Sequence, residues 1–199
     1  SGRNIENLIG ATQIPLGVAG PLRVKSLESR VKEYYIPLAT TEGALVASIS
    51  RGCKAAGEVN VFVEDVGITR GPVFKTKDLN HSMKVKRWIE ENKKQIARIC
   101  EQTSNHLKLL DIKTSIVGRN LFARFEYKTG DAMGMNMITI ATQEAVKLIE
   151  VKTGGVCIAL AGNFDIDKKP AWLNVIGKRG IKAWAEATID KKIVATVLK

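Results

Sequence analysis

Apolar residues recur with a helical period over residues 79–102, LNHSMKVKRWIEENKKQIARICEQ. Val85, Ile89, Ile96 and Cys100 fall on one helical face, and lysines and glutamates occupy the opposite face. This spacing is typical of an amphipathic helix that packs one side against a core. The pattern therefore predicts one amphipathic helix over this stretch.

Runs of β-forming residues surround that helix. KLLDIKTSIV and NLFARFEYKT flank the turn signal GRN, a pattern that predicts a hairpin. GPVFKTKD predicts a strand before the first helix, DAMGMNMITIATQEAVKLIEVKT predicts a second helix, and GVCIALAGN predicts a buried strand after it. Residues 72–160 thus follow the order strand, helix, strand, strand, helix, strand, which is the split βαβ or ferredoxin-like arrangement.

The sequence on either side of residues 72–160 has a different pattern. Glycine and proline punctuate residues 7–21, which favours a loop or a kinked strand, and RVKEYYIPLATT predicts a short strand that leads into a loop. TTEGALVASISRGCKAAGE predicts a helix with Thr40 or Thr41 as its N-cap and Glu42 in its first turn. We therefore predict an α+β fold in which a compact unit, residues 72–160, is inserted into a larger domain formed by residues 1–71 and 161–199.

Composition narrows the class of protein. With 45% hydrophobic and 26% charged residues, a chain of 199 residues can bury a core, and its net charge of +11 implies attraction to an anionic partner. That partner could be nucleic acid, a membrane surface or a phosphorylated small molecule, and the charge alone does not choose among them. No apolar run approaches the roughly 18 residues of a membrane span, and three widely spaced cysteines with two histidines give no zinc pattern. A reduced, cytoplasmic protein without a metal site is expected.

The segment AGNFDIDKKPAW places opposed charges in a loop that directly follows a predicted strand. One of Lys168 and Lys169 could point inward, balanced by Asp165 or Asp167, and stabilise an oxygen that becomes negative during a reaction. The alternative is a solvated turn with weak surface ion pairs.

The segment DAMGMNM, which contains Asp131, lies at the predicted start of the second helix. Small and flexible residues there would let backbone N–H groups meet a pyrophosphate. The alternative is an aspartate N-cap on a methionine-rich buried helix.

Basic residues mark two further candidate sites. Ser48, Arg51 and Lys54 share one side of the predicted helix and could bind phosphate, or they could form an exposed flank. Arg70, which precedes Gly71, could bind a carboxylate with two hydrogen bonds, or it could be an exposed charge between domains.

Taken together, these segments resemble a known family. ENLIGATQIPLGVAGPL, TTEGALVAS with RGCK, TRGP, DAMGMNM and GN with DKKP occur in the order and approximate spacing of 3-hydroxy-3-methylglutaryl-coenzyme A (HMG-CoA) reductases. The resemblance runs from about Glu6 to the C-terminus, and DAMGMNM with DKKP is similar to the class I branch of archaea and eukaryotes. It implies reduction of HMG-CoA to mevalonate and coenzyme A by two hydride transfers from NADPH, without a metal.

The resemblance also implies an architecture and residue roles. A large substrate-binding domain would carry an inserted ferredoxin-like domain that binds the nicotinamide cofactor, and the enzyme would be a homodimer. Glu42 would handle protons, Lys168 would stabilise the oxyanion, and Arg70 would hold the substrate carboxylate. The other implied substrate-binding residues are Asn163, Asp167 and Lys169 in the same loop and Ser48, Arg51 and Lys54 at the coenzyme A phosphates. The implied cofactor-binding residues are Ser104, Asn105, Asp131, Met133, Gly134, Met135, Asn136 and Met137. Phosphorylated small molecules, rather than nucleic acid, would then be the anionic partners that the excess positive charge implies.

Several positions depart from the family pattern. Ala161 stands where serine is common, FDID replaces F-C-T-D or Y-C-T-D, and Asn105 stands where arginine is frequent, which leaves NADH open as a second donor. The family also has a catalytic aspartate, a histidine and a glycine-rich cofactor segment beyond the match to this chain. We therefore expect a fragment of the catalytic region with slow or no turnover, which an assay of NADPH oxidation checks.

Two other functions compete with this interpretation. The predicted element order is also that of an RNA-recognition module, and GRNLFARFEY resembles its aromatic strip. That strip needs a glycine directly before the first aromatic, whereas Asn120 and Leu121 intervene here, and Phe125 and Tyr127 are expected in the core. The second competitor is a catalytically inactive regulatory or assembly fragment that keeps the fold.

Overall fold

The computed structural model describes residues 5–26, 29–177 and 179–198, which divide into two compact units. Residues 64–182 form the central unit, and the residues on both sides of it, up to 63 and from 183, form the terminal unit. The central unit contains the whole predicted insert 72–160 and extends beyond it at both ends.

The terminal unit combines strands with one substantial helix. Its elements are β1 (Leu16–Ser26), β2 (Lys32–Ala39), α1 (Leu45–Ala56), the first part of β3 (Glu58–Arg70), the last part of β8 (Gly180–Glu186), α6 (Lys191–Ile193) and a π-helical turn (Val194–Leu198). β1 pairs antiparallel with β2 and parallel with β3, so the sheet is mixed.

The central unit is built on an antiparallel sheet. Its further elements are β4 (Val73–Lys75), α2 (Leu79–Glu91), α3 (Lys93–Glu101), β5 (Lys108–Val117), β6 (Asn120–Lys128), α4 (Met135–Thr153), β7 (Val156–Ala159) and α5 (Trp172–Ile176). The strands are ordered β5-β6-β4-β7, and the end of β3 continues the line of β4 along the same edge of β6. The molecule is therefore a mixed α+β protein, as predicted.

The core of the central unit lies between β6 and the helices. Leu121, Ala123, Phe125 and Tyr127 alternate along β6 and are all fully buried. Against them pack α2, α3 and α4 through the predicted face Val85, Ile89, Ile96 and Cys100 and through Ile138, Ala141, Ala145 and Ile149. The predicted helical face and the predicted hairpin are confirmed, and the Phe125 and Tyr127 rings stack in the core at 6.1 Å rather than on an open surface.

The helix predicted over residues 79–102 is interrupted at Asn92. This residue has φ −108°, and its side-chain amide donates a 2.8 Å hydrogen bond to the carbonyl of Trp88. An asparagine side chain that bonds the backbone offers an alternative to helical pairing. The prediction of one continuous helix was therefore wrong, although both halves keep the apolar face.

The strand predicted as buried, GVCIALAGN, is a short strand at the sheet edge. Val156 and Ile158 of β7 are 58% and 55% exposed, and within the described residues β7 pairs only with β4. The apolar run indicated burial on both faces, but an edge position leaves one face of this strand open. Among the described residues, no helix is both long and apolar enough to cross a membrane.

Candidate functional site

The DKKP loop, residues 161–170, follows β7 and packs directly on the end of β3. The Gly162 N–H donates to the Gly71 carbonyl at 2.7 Å. A Cβ built on Gly71 would lie 2.5 Å from the Asp165 nitrogen, so only glycine permits this approach. The TRGP and DKKP segments, which are about 95 residues apart in the sequence, therefore meet in space.

Arg70 joins three elements at this point. Its Nη1 forms a 2.7 Å ion pair with Asp165 Oδ2, and the two side chains are only 14% and 2% exposed. Its Nε donates to Thr139 Oγ1 at 3.1 Å, and its Nη2 bonds the same oxygen. Arg70 thus connects β3 with the DKKP loop and with α4, and the alternative of an exposed charge between domains is wrong.

Asp167 is also buried, and it is held by β3. Its Oδ2 accepts a 2.9 Å hydrogen bond from the Thr69 N–H and a second from the Thr69 hydroxyl, while Arg179 lies 4.0 Å from Oδ1. The sequence predicts that a loop aspartate balances a neighbouring lysine. Instead Asp165 pairs with Arg70 and Asp167 with Thr69, because the loop turns its carboxylates toward the donors at the end of β3.

The two lysines of the DKKP loop differ in environment. The Lys169 ammonium donates to the main-chain carbonyl of Asp165 at 2.7 Å and lies 3.4 Å from that of Gly162, so it closes the loop on itself. Lys168 is exposed and has a left-handed backbone with φ 62°. Asn174 of α5 supports this turn, since its Nδ2 donates to the Lys169 carbonyl at 2.7 Å. Asn163 is exposed near the start of the loop.

The start of α4 is shaped by a glycine. Gly134 is the N-cap with φ 82°, and a Cβ there would lie 2.5 Å from Thr129 Cγ2. The first intrahelical bond runs from the Ile138 N–H to the Gly134 carbonyl, so the N–H groups of the first turn, residues 135–137, have no intrahelical acceptor. Asp131 lies four residues before the helix, and its alternative as the N-cap is wrong.

The segment before α4 borders an open groove. Residues 128–133, which include exposed Asp131 and Met133, line a cavity of about 410 Å³ together with Asp65, Gly67 and Ile181. Met135 and Met137 are partly buried and Asn136 is exposed, so the start of α4 is not a buried helix end.

The loop that carries Ser104 and Asn105 lies at the same end of the β5-β6 pair as the start of α4. Lys108, the first residue of β5, pairs with Lys128, the last residue of β6. The Ser104 hydroxyl accepts a 3.2 Å hydrogen bond from the His106 N–H, and Asn105 is exposed. The two predicted cofactor segments are thus brought to one end of the sheet.

The remaining predicted site residues belong to the terminal unit. α1 begins at Leu45 with Ala44 as its N-cap, so Glu42 precedes the helix and the predicted threonine cap is wrong. The Thr40 hydroxyl instead accepts from the Glu42 N–H at 2.9 Å and closes a turn before the helix. The left-handed Ala44, with φ 63°, sets this geometry, and no residue type in the sequence signals it.

Arg51 and Lys54 line one side of a cavity of about 570 Å³. Gly20, Pro21, Ser50, Thr196 and Val197 complete its lining. Ser48 is exposed on the same helix but does not line this cavity. Two of the three predicted phosphate-binding residues therefore come together.

Sequence reasoning missed the residues that hold the site from outside the motifs. Thr139, Thr69 and Asn174 each bond a motif residue or its backbone. Thr69 adjoins Arg70 in TRGP and could have been included on that ground, whereas Thr139 and Asn174 are ordinary helix residues whose partners only the fold reveals. Among the described residues, no group of three or more His, Cys, Asp and Glu side chains comes together as metal ligands would.

Comparison with known proteins assigns the family. The family model described as hydroxymethylglutaryl-coenzyme A reductase matches residues 1–199. This chain therefore belongs to the hydroxymethylglutaryl-coenzyme A reductase family, as the motifs indicated.

Curated relatives agree with that assignment. A 3-hydroxy-3-methylglutaryl-coenzyme A reductase of Methanocaldococcus jannaschii is 50% identical over 99% of this chain and 51% of its own length. One from Methanothermobacter thermautotrophicus is 49% identical over 100% of this chain and 51% of its own length. The chain thus spans about half the length of the curated relatives it matches.

A solved structure has a similar fold. It is a class II 3-hydroxy-3-methylglutaryl-CoA reductase from Streptococcus pneumoniae bound to NADPH, with a TM-score of 0.68 and 19% sequence identity. The match covers 83% of this chain and 46% of that one. At this identity the likeness concerns the fold alone.

Proposed function

We propose that this chain is part of a class I enzyme that reduces HMG-CoA to mevalonate and coenzyme A, with NADPH as the expected hydride donor and NADH as a second candidate. The observation that carries the proposal is the set of contacts around Arg70. Its bonds to Asp165 and Thr139 hold the DKKP loop and α4 together at the end of β3. The two motifs expected to meet substrate and cofactor are thus linked through a single side chain.

We propose that residues 72–160, which lie within the central unit, form the ferredoxin-like cofactor domain. Its strand order, β5-β6-β4-β7, and the helices packed on one sheet face support this. The N–H groups of residues 135–137, which have no intrahelical acceptor, suit a pyrophosphate, as does Lys128 in the groove that residues 128–133 border. Ser104 and Asn105, at the same end of the sheet, would meet the adenosine part. When bound, the nicotinamide supplies the hydride.

We propose distinct roles for the residues around the DKKP loop. Arg70 would bind the substrate carboxylate through guanidinium N–H groups that Asp165 and Thr139 leave free. Lys168, exposed at the tip of the loop, would stabilise the negative charge that develops on the thioester oxygen during reduction. Lys169, Asp167 and Asn163 would set the position of the loop and the substrate, and Glu42 would exchange protons with the product oxygen.

We propose that the cavity beside α1 binds coenzyme A phosphates. Arg51 and Lys54 supply two cations along one side of it, and Ser48 lies on the same helix. The substrate-binding domain would comprise residues 1–71 and 161–199, and the complete enzyme would be a homodimer.

Binding of NADPH to the purified chain, measured by isothermal titration, tests the cofactor proposal. Gly134→Ala should weaken binding at least about tenfold, because a Cβ at this position collides with Thr129 and displaces the N–H groups that would meet the pyrophosphate. Gly154→Ala is the matched control, since Gly154 caps the other end of α4 with φ 71° and has only His81 near, at 4.0 Å. Equal effects of both substitutions would count against a cofactor at the start of α4.

The same titrations with coenzyme A and a single-stranded RNA complete the test. Coenzyme A should bind, and Arg51→Ala with Lys54→Ala should weaken its binding, whereas Lys86→Ala, which removes a partly exposed cation of α2, should not. Binding of RNA with neither NADPH nor coenzyme A would overturn the reductase proposal in favour of the RNA-recognition alternative.

A further inference from the structure

Asp165 and Arg70 form a shielded ion pair inside the proposed substrate site. Asp165 Oδ2 lies 2.7 Å from Arg70 Nη1, and the Asp165 side chain is only 2% exposed. The second oxygen, Oδ1, accepts from the Asp167 N–H at 3.3 Å. One carboxylate therefore contacts both the arginine and the backbone just before Lys168.

The surrounding backbone is shaped to bring these two groups together. Gly71 follows Arg70, and any side chain there would collide with the Asp165 backbone. The Asp165 N–H in turn donates to the Gly162 carbonyl at 3.0 Å, and Gly162 bonds Gly71. The contact is thus built into the loop rather than formed by two free surface side chains.

The pairing is specific to Asp165. Asp167, two residues along, is bonded to Thr69, and Arg179 lies 4.0 Å from its other oxygen. The Lys169 ammonium reaches the main-chain oxygen of Asp165 rather than its carboxylate.

We propose that Asp165 is a built-in counter-ion of Arg70, which holds the guanidinium in place and lowers its affinity for an incoming carboxylate. The inference rests on the proposed role of Arg70 as the residue that binds the substrate carboxylate. Asp165 and Thr139 engage three of the five N–H groups of Arg70, and its charge is already balanced at short range. The carboxylate of an incoming ligand must therefore bind beside the carboxylate of Asp165, and the two negative charges repel each other.

The test is the affinity of the purified chain for glutarate, a dicarboxylate without the coenzyme A part, measured by isothermal titration. Asp165→Asn keeps the shape and the acceptor for the Asp167 N–H but removes the charge, so glutarate should bind about tenfold more tightly or better. Asp165→Cys, which also removes the charge, should show the same gain. Adding Arg70→Gln to either variant should abolish it.

Asp111→Asn is the matched control for net charge. Asp111 pairs with Lys93 at 2.5 Å in the same unit, and its removal adds the same charge without touching Arg70. A merely structural role for Asp165 predicts an unchanged or weaker affinity. The proposal is overturned if glutarate binds the two Asp165 variants no more tightly than the parent chain, or if neither variant folds by circular dichroism.

Failure of the proposed function has a different signature. If glutarate binds at Arg70 and the Asp165 variants bind it more tightly, but neither NADPH nor coenzyme A binds, the counter-ion proposal stands and the reductase assignment is wrong. Conversely, if the chain binds NADPH and coenzyme A but Asp165→Asn does not bind glutarate more tightly, the reductase assignment stands and the counter-ion proposal is wrong.

Discussion

Lys168 combines an exposed ammonium with a left-handed backbone, φ 62°. That conformation costs roughly 1 kcal/mol for a residue with a Cβ. Two things hold it in place: the buried, bonded Asp167 before it and the carbonyl of Lys169 after it, which accepts from Asn174. The turn therefore presents the lysine outward from a fixed base, a geometry suited to stabilising charge on a bound substrate.

Lys168→Ala should leave the fold intact and remove reduction. Because the side chain is exposed and the substitution keeps a Cβ, the free energy of unfolding should change by no more than about 0.5 kcal/mol. In a chimaera where this chain replaces the matching half of a full-length archaeal relative, kcat should fall by about 100-fold or more. The measurements are urea denaturation of the chain and NADPH oxidation by the chimaera.

Lys168→Gly separates the backbone from the charge. Glycine relieves the left-handed conformation, so this variant should be as stable as the parent or more stable by up to about 1 kcal/mol, yet equally inactive. A chimaera that keeps ordinary turnover with either substitution would return the loop to a solvated charged turn.

At the scale of elements, the sequence predicted most of the features that depend on the spacing of apolar residues. The apolar face of α2 and α3, the β5-β6 hairpin and the order of elements over residues 72–160 follow from local spacing. The break at Asn92 and the open face of β7 did not, because each depends on a hydrogen bond or a sheet edge that local spacing does not encode.

The candidate site shows the same division. The motifs identified Arg70 and Lys168 but did not predict that Arg70 pairs with Asp165. That pairing depends on a close approach of two backbone segments that only a glycine at position 71 allows. The loop aspartates were expected beside lysines, and long-range contacts with β3 decided otherwise. Local sequence thus located the charged groups, and the tertiary fold decided which of them pair.

Cys100 shows how α3, β6 and α4 are joined in the core. Its thiol lies 3.5 Å from the Tyr127 hydroxyl, which is 2.8 Å from Thr142 Oγ1. Burial raises the pKa of the Cys100 thiol from 9.0 to about 11, with a smaller contribution from Glu101. Burial also raises the pKa of Tyr127. Both groups therefore remain neutral in the folded chain well above neutral pH.

This shift predicts a loss of stability at alkaline pH. The folded chain keeps the Cys100 proton to a higher pH than the unfolded chain, so its contribution is complete below pH 9.0 and is lost as pH rises toward about 11. By pH 10 the loss should be about 1 kcal/mol. Urea denaturation between pH 8 and pH 10 with reductant should show a loss that is larger by this amount in the parent chain than in Cys100→Ala. Parallel slopes for the two proteins would contradict the assignment.

At the scale of the whole molecule, apolar burial is distributed unequally. Every member of the main core cluster, from Ile68 to Ile149, belongs to the central unit. Among the described residues of the terminal unit, the buried apolar side chains are Ala19, Cys53 and Ala55, all small. Val18, Tyr35 and other large apolar side chains of that unit are more than half exposed. Because burial of apolar area is the main stabilising term, the central unit should carry most of the stability.

Expression of residues 64–182 alone checks this distribution. The fragment keeps its whole core, so it should unfold cooperatively, with a melting temperature within about 5 °C of the transition seen in the full chain.

The terminal unit is tested as residues 5–63 joined to 183–198 by a flexible linker. This protein should show no cooperative transition and should bind a hydrophobic dye, since three small buried side chains cannot offset the entropy of ordering that many residues. The reverse result, a cooperative terminal unit beside an unfolded central fragment, would mean that stability resides in contacts other than this core. The NADPH titration can then be repeated on the 64–182 fragment, where retained affinity would place the cofactor site within the central unit by itself.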